Sequence, residues 1–226
     1  MNLLLVNSNS TSAVTDRLVT AAQAVAAPGT QITGVTAAGA AVIRTHLEFA
    51  EAAVQTVAVL KDRAVNHDAG IIACFGDPGL RAARHELDMP IVGIAEAAML
   101  TAHLLGGRYS IMTLGAHQAI NIADLARLYG LEARLASVQI AQISHADVLA
   151  DPSQAIAAFV AAGRQAVEDG ADVLILGGGP MAGLAHQIEL LVEVPVLDGI
   201  TCATKLAESL VACGYRTSRK GLYQPL

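Results

Sequence analysis

Apolar and polar positions alternate along the chain in blocks. Residues 3–6, Leu3-Leu4-Leu5-Val6, form an uninterrupted apolar run, the pattern of a strand buried on both faces of a parallel sheet. The small polar residues Asn7-Ser8-Asn9-Ser10-Thr11-Ser12 follow, and helical spacing then runs over 13–26. The same reading predicts strands over 31–35, 70–74, 90–94, 109–114, near 134–138, and over 173–176 and 195–197. Helices are predicted over 48–66, 79–87, 96 to about 105, 119–129 and 152–169, with one after Pro180 and a last one through residue 210. Such alternation predicts parallel sheets with helices on both faces.

A weak internal repeat underlies the order. Residues 68–74 lead through a Gly-Pro turn and a helix to Pro90-Ile91-Val92-Gly93-Ile94, and residues 172–178 lead in the same way to Pro195-Val196-Leu197-Asp198-Gly199. Cys74 and Gly178 are 104 residues apart, and Leu3–Val6 stands at a similar offset from Ile111–Leu114. The expected fold class is therefore α/β, with two pseudo-symmetric three-layer lobes, each on a parallel four-stranded sheet. Residues 1–98 plus about 206–226 form the first lobe and 99–205 the second. The strand ends are expected to face one another across a cleft that holds the active site, with Cys74 and Gly178 on opposite walls.

Composition narrows the function. The 226 residues are 54% hydrophobic and 15% charged, so a sizeable core can form. The net charge of −6, 3% aromatic content and absence of Trp leave no basic footprint for nucleic acid. Mean hydropathy is +0.50, but no apolar run approaches the ~18–20 residues of a bilayer span. Met1–Asn7 lacks a basic leader and passes directly into a strand, so a cytoplasmic protein without a signal peptide is expected. Three cysteines without metal-like spacing point to reduced thiols and to no metal. The apolar helices make a homo-oligomer the expected state.

Candidate chemistry gathers at Cys74-Phe75-Gly76-Asp77-Pro78-Gly79-Leu80. Asp77 suits an N-cap and Pro78 the first helical position. Cys74 would then stand at a strand's carboxyl end beside a helix N-terminus, which favours thiolate; the competing reading is a packed thiol. Phe75 and Gly76 would line the pocket and offer backbone N–H groups. Asp77 and Glu96 read as helix caps, with a bond to a substrate N–H as the alternative for each. The turn containing Asn7, Asn9, Ser10 and Thr11 suits either a cap or a carboxylate or amide ligand. Gly177-Gly178-Gly179 lacks the Lys-Ser/Thr of a phosphate loop. Cys202 and Cys213 read as packing residues, and His46, His67, His85, His103 and His145 as surface or helix histidines.

Val6-Asn7-Ser8-Asn9-Ser10-Thr11, Ala73–Leu80, Pro90–Ala98, Ile111–Leu114, Pro195–Gly199 and Gly214-Tyr215-Arg216-Thr217-Ser218-Arg219-Lys220-Gly221 together resemble the aspartate/glutamate/hydantoin racemase superfamily, in particular its hydantoin and allantoin racemases. The resemblance implies a cofactor-free enzyme acting at a carbon α to a carbonyl in a small amino-acid-derived or cyclic ureide or amide substrate. One cysteine on each lobe would exchange the α-proton, and donors placed where charge develops would stabilise the enolate. The substrate-binding candidates are Asn7, Asn9, Ser10, Thr11, Phe75, Gly76, Asp77, Thr113, Gly178, Gly179 and Pro180.

The sequence departs from that pattern at one place. Where the family has Leu-Gly-Cys-Ala-Gly-Met, this chain has Leu176-Gly177-Gly178-Gly179-Pro180-Met181. Three readings stay open. In one, racemisation uses another group opposite Cys74, with His117, Cys202 and His186 as candidates. In the second, Cys74 works alone, as in the superfamily's single-cysteine arylmalonate decarboxylases, whose cysteine lies on the other lobe. In the third it is a nucleophile that attacks a carbonyl or an amide of a cyclic substrate, as in a hydrolase or isomerase, in space opened by glycine. A small-molecule binding protein is the non-enzymatic rival.

Overall fold

The computed structural model describes residues 1–224; positions 225 and 226 of the expected first-lobe tail lie outside them. The chain divides into two compact units, Met1–Ile94 with the chain from Ala203 onward, and Ala95–Cys202. Unit 1 carries β1 (Asn2–Asn7), α1 (Ser12–Val25), β2 (Gln31–Thr36), α2 (His46–Arg63), β3 (Ala69–Ile72), α3 (Leu80–Glu86) and β4 (Ile91–Gly93). Unit 2 carries β5 (Tyr109–Thr113), α5 (Ala116–Leu128), β6 (Leu135–Ile140), α6 (His145–Ala150), α7 (Pro152–Glu168), β7 (Val173–Leu176), α8 (Ala185–Val192) and β8 (Val196–Asp198). Helices α4 (Ile94–Leu105) and α9 (Gly199–Ala212) continue directly from β4 and β8.

Each unit holds one four-stranded parallel sheet, ordered β2-β1-β3-β4 and β6-β5-β7-β8. Leu3, Leu4, Leu5 and Val6 are all fully buried, as are Val173, Leu174 and Ile175. Consecutive strand residues point to opposite faces, so both faces of these central strands are covered. Helix starts follow local chemistry. Thr45 and Glu48 form a reciprocal capping box on α2, and Asp151 caps α7 with Pro152 in its first turn.

The repeat read from the sequence is built from hydrogen bonds. Asp68 accepts the N–H of Asn2 at 2.7 Å, and Asp172 accepts those of Gly107 and Arg108 at 2.8 and 2.9 Å. Each aspartate thus ties the start of a third strand to the start of the first. The prolines repeat as well, since Gly70 donates to Pro90 O and Leu174 to Pro195 O, aligning the fourth strands. In unit 1 the tail adds a strap. Thr217 bonds Asp88 O and Met89 O, while Arg219 pairs with Asp88 and donates to His85 O.

Several boundaries differ from expectation. α6 was not foreseen; at six residues it is too short for helical periodicity to show. α5 begins at Ala116 rather than at 119. α4 begins at Ile94 without an intervening loop, so Glu96 lies inside its first turn rather than at its cap. α3 begins at Leu80 with Gly79 as its N-cap in the left-handed region, so Asp77 does not cap it and Pro78 precedes it. Cys213 follows α9 and is exposed, because the helix has already ended when the chain reaches it.

Candidate active site

In a doubly wound sheet, ligands bind beyond the carboxyl ends of the strands where the chain reverses direction across the sheet. In unit 1 that point lies between β1 and β3, whose pairing ends at Val6 and Ile72. Asn7–Thr11 leaves one strand there and Ala73–Gly79 leaves the other. Ala73 still donates to Val6 O at 2.8 Å, so Cys74 is the first residue free of the ladder.

Two consecutive turns shape the Cys74 loop. Cys74 O accepts Asp77 N–H at 3.0 Å, and Asp77 O accepts Leu80 N–H at 3.1 Å. The path requires Gly76 at φ 147° and Gly79 at φ 83°, a region glycine enters without steric cost. Helix α2 closes on both. A Cβ at Gly76 would lie 2.5 Å from the Phe49 ring, and one at Gly79 would lie 2.8 Å from Ala53 O. Among the described residues, no backbone carbonyl takes up the amides of Cys74, Phe75 or Gly76. Phe75 itself is buried and Cys74 half-buried.

The electrostatics oppose the expectation of a thiolate. Burial, and then the negative charge of Asp77, push the Cys74 thiol up to about 12. α3 begins six positions beyond Cys74, after a second turn and with Gly79 as its N-cap. Desolvation disfavours the charged form and a neighbouring carboxylate adds to it, so the resting group is a thiol.

The β1 loop is a scaffold before it is a ligand. The Asn7 amide lies within hydrogen-bonding distance of Asn9 Oδ1, Thr11 O and Thr15 Oγ1, at 3.0, 3.2 and 3.0 Å. Its oxygen accepts Asn9 N–H, Asn9 Oδ1 accepts Thr11 N–H, and Thr11 Oγ1 donates to Ala41 O. Ser10 is exposed, and among the described residues its hydroxyl has no partner. Of the four predicted ligands, Asn7, Asn9 and Thr11 have side chains already engaged within the protein.

Unit 2 repeats the frame with different contents. Thr113, buried at the end of β5, donates to Gly177 O at 3.2 Å. Gly178 opens a turn in which its carbonyl accepts Met181 N–H, the counterpart of the turn from Cys74 to Asp77. Gly179–Met181 is a short 3₁₀ segment with Pro180 in its first turn. Gly178 has an extended backbone at φ 173°, which any residue adopts. A Cβ there would lie 2.6 Å from the Met181 methyl. The space expected to be open is therefore filled by Met181, itself 1% exposed and part of the unit's core.

The proposed second acid–base groups separate. His117 and His186 are exposed in the first turns of α5 and α8. Cys202 is buried on α9; burial, and further down the order the charge of Asp198, push its thiol up to about 11, with Thr101 beside the sulfur acting the other way. Asp198 was not singled out from the sequence. Its carboxylate ends β8 and accepts Gly183 N–H at 2.6 Å and Ile200 N–H at 2.9 Å. Burial raises its pKa against those bonds. An aspartate before a glycine at a strand end reads as a turn residue, so only its burial reveals it. Among the described residues, no group of three or more His, Cys, Asp and Glu side chains is placed to hold a metal. Nor is any helix among them long and apolar enough to cross a membrane.

Each unit is an α/β fold on a parallel four-stranded sheet. Residues 3–207 match the family model described as Asp/Glu/Hydantoin racemase. The chain is 37% identical to the hydantoin racemase of Paenarthrobacter aurescens, covering 99% of this chain and 97% of that one. The structures of allantoin racemases from Pseudomonas fluorescens and Klebsiella pneumoniae superpose with TM-scores of 0.93 and 0.95, at 38% and 36% identity. Each alignment spans 100% of this chain, with 97% and 94% of the respective partner. The chain belongs to the Asp/Glu/hydantoin racemase family and is an isomerase of the racemase type.

Proposed function

We propose that the protein racemises a five-membered cyclic ureide of the hydantoin or allantoin kind, and that Cys74 carries the proton. The carrying observation is the Cys74 loop, where a thiol emerges from the switch point of unit 1 beside three backbone amides that, among the described residues, have no carbonyl partner. In the direction where Cys74 is the base, its minor thiolate form takes the proton from the ring carbon next to the carbonyl and becomes the thiol that predominates at rest. The electron pair left behind moves onto the carbonyl oxygen as an enolate. N–H groups of the loop are suited to receive that oxyanion, where preorganised donors count most. A proton returned to carbon by Cys74 restores its thiolate, whereas one delivered to the opposite face by a second donor leaves Cys74 as thiol and that donor deprotonated; in either case the carbonyl re-forms and no cofactor is consumed.

Inversion requires a donor for the opposite face. With glycine at 178, we take Cys202, buried on α9 and within the influence of Asp198, as the candidate for this role. Gly178 also favours a second reading, in which Cys74 removes and returns the proton on one face.

The test is incubation in D₂O with single-enantiomer allantoin or a 5-substituted hydantoin, following optical rotation, deuteration and mass. Loss of rotation with one deuteron gained at the ring carbon supports racemisation. Deuteration with retained rotation identifies one-faced exchange, and a gain of water identifies a hydrolase. Full turnover by Cys74→Ala overturns the assignment of Cys74.

A further inference from the structure

The three phenylalanines of the chain have different settings. Phe159 lies in the core of unit 2 and Phe75 is 6% exposed, whereas Phe49 is only half-buried. The aromatic surface offered beside the Cys74 loop is therefore that of Phe49 on α2, not that of Phe75, the aromatic neighbour of Cys74 in sequence.

Helix α2 is fixed along one stripe. Leu60 stands over Gly70 of β3, where a Cβ would lie 2.8 Å from a leucine methyl. Thr56 donates to Ser8 Oγ at 2.9 Å, and both residues are buried. Ala53 closes on Gly79 and Phe49 on Gly76. Positions 49, 53, 56 and 60 share one helix face, so the stripe runs from β3 out to the loop beyond its carboxyl end. The capping box of Thr45 and Glu48 secures the turn that carries Phe49. One edge of the ring meets the loop: a Cβ on Gly76 would lie 2.5, 3.0 and 3.7 Å from Cε1, Cζ and Cδ1. Because the residue is half-buried, part of its apolar ring surface stays uncovered at that loop.

We propose that Phe49 is a specificity-determining residue, whose uncovered ring surface packs against the substituent on the substrate's reacting carbon and favours apolar, above all aromatic, substituents. The inference rests on the reading of Cys74 as the proton carrier. The substituent shares its carbon with the proton that the sulfur takes, so it lies beside the same loop. A second ring laid against Phe49 removes apolar surface of both from water and gains the offset or edge-on contact that aromatic pairs prefer. Gly76 belongs to the arrangement, because a side chain there would drive into the ring.

The readout is the pair of kcat/KM values for loss of optical rotation by 5-benzylhydantoin and 5-methylhydantoin on the full chain. In Phe49→Leu the value for the benzyl compound falls roughly tenfold further than that for the methyl compound, the scale on which an apolar pocket discriminates. Calorimetric dissociation constants on Cys74→Ala and Cys74→Ala/Phe49→Leu supply the same comparison without turnover, and the benzyl compound again loses roughly tenfold more. Phe49→Met carries the same test should the leucine variant fold poorly. A ring that serves only to wedge the loop affects both compounds equally, so an unchanged ratio in either folded variant overturns the proposal, as does a ratio that moves the other way. Failure of the catalytic reading registers separately, as turnover that survives Cys74→Ala or as binding of both compounds without turnover by the wild type. Binding of neither compound overturns the proposal together with that reading.

Discussion

Replacing Gly178 with cysteine tests how unit 2 has filled the position that corresponds to Cys74. The backbone offers no obstacle, since φ at 178 is 173°. The obstacle is the Met181 methyl at 2.6 Å from the new Cβ, where ordinary contact begins at 3.4 Å. A thioether terminus can rotate away, but Met181 lies in the core with Leu176, Leu184 and Ile188, so its new position crowds other side chains. Overpacking of this kind costs about 1–3 kcal/mol. Met181→Ala alone leaves a cavity and costs about 2–5 kcal/mol. In the double variant the cysteine side chain enters the volume the methionine has left. The two losses should then fall short of their sum by at least about 1 kcal/mol, as contacting residues couple. Urea unfolding of the four proteins under reducing conditions, followed by circular dichroism, supplies the cycle. Additivity within about 0.5 kcal/mol, the behaviour of independent sites, would show that Met181 does not hold that volume. In D₂O the folded double variant should convert a larger share of exchange events into inversion than Met181→Ala does.

Gly93→Ala drives a methyl group into the Asp77 carboxyl group and should cost more than about 2 kcal/mol in urea unfolding, whereas Gly29→Ala meets no atom within 4 Å and carries only the local strain of its positive φ. Asp172→Asn weakens the bonds to Gly107 and Arg108 at the base of β5, with a loss near 1 kcal/mol after allowance for solvent. Those two N–H groups, Arg108 first, hold the Asp172 carboxyl below its ordinary value. Its stabilisation is therefore complete above the unfolded carboxyl pKa of about 4 and is lost as pH falls through the lower folded value. Wild-type stability should drop more steeply below pH 4 than that of Asp172→Asn. Iodoacetamide at neutral pH should label exposed Cys213 well before Cys202, which is buried and whose thiol is pushed up to about 11; equal labelling would contradict the burial of α9.

The frame was legible from the chain because its signals repeat. The aspartates at 68 and 172 and the prolines at 90 and 195 recur at nearly one spacing, and each closes the same hydrogen bond in its own unit. The apolar runs 3–6 and 173–176 became fully buried central strands for the reason that suggested them. What was illegible depends on side chains meeting at a distance in sequence. The thiol of Cys74 was expected to be acidified by a helix, but a second turn and a left-handed Gly79 intervene before α3. Glycine at 178 suggested space, yet the methionine three residues on folds back over it. Asp198 carried no motif, and its importance emerges only from burial and from the amides of Gly183 and Ile200.

The two units therefore share a frame but not the side chains it carries. The third-strand loop of each makes the same turn, from 74 to 77 and from 178 to 181, so backbone geometry does not distinguish them. The contents of that turn do. Unit 1 places a half-buried thiol at its first position and a carboxylate at its fourth, whereas unit 2 places a glycine and a buried thioether there. A thioether neither accepts nor returns a proton at accessible pH, so under the proposed function any proton transfer by unit 2 would come from outside the turn. The buried pair of Asp198 and Cys202 meets that need chemically, because burial favours the protonated form of both. Cys202→Ser separates the outcomes. If Cys202 supplies the second face, the substitution suppresses inversion in D₂O while deuterium exchange at Cys74 persists; if inversion and exchange fall together or not at all, the second proton has another source.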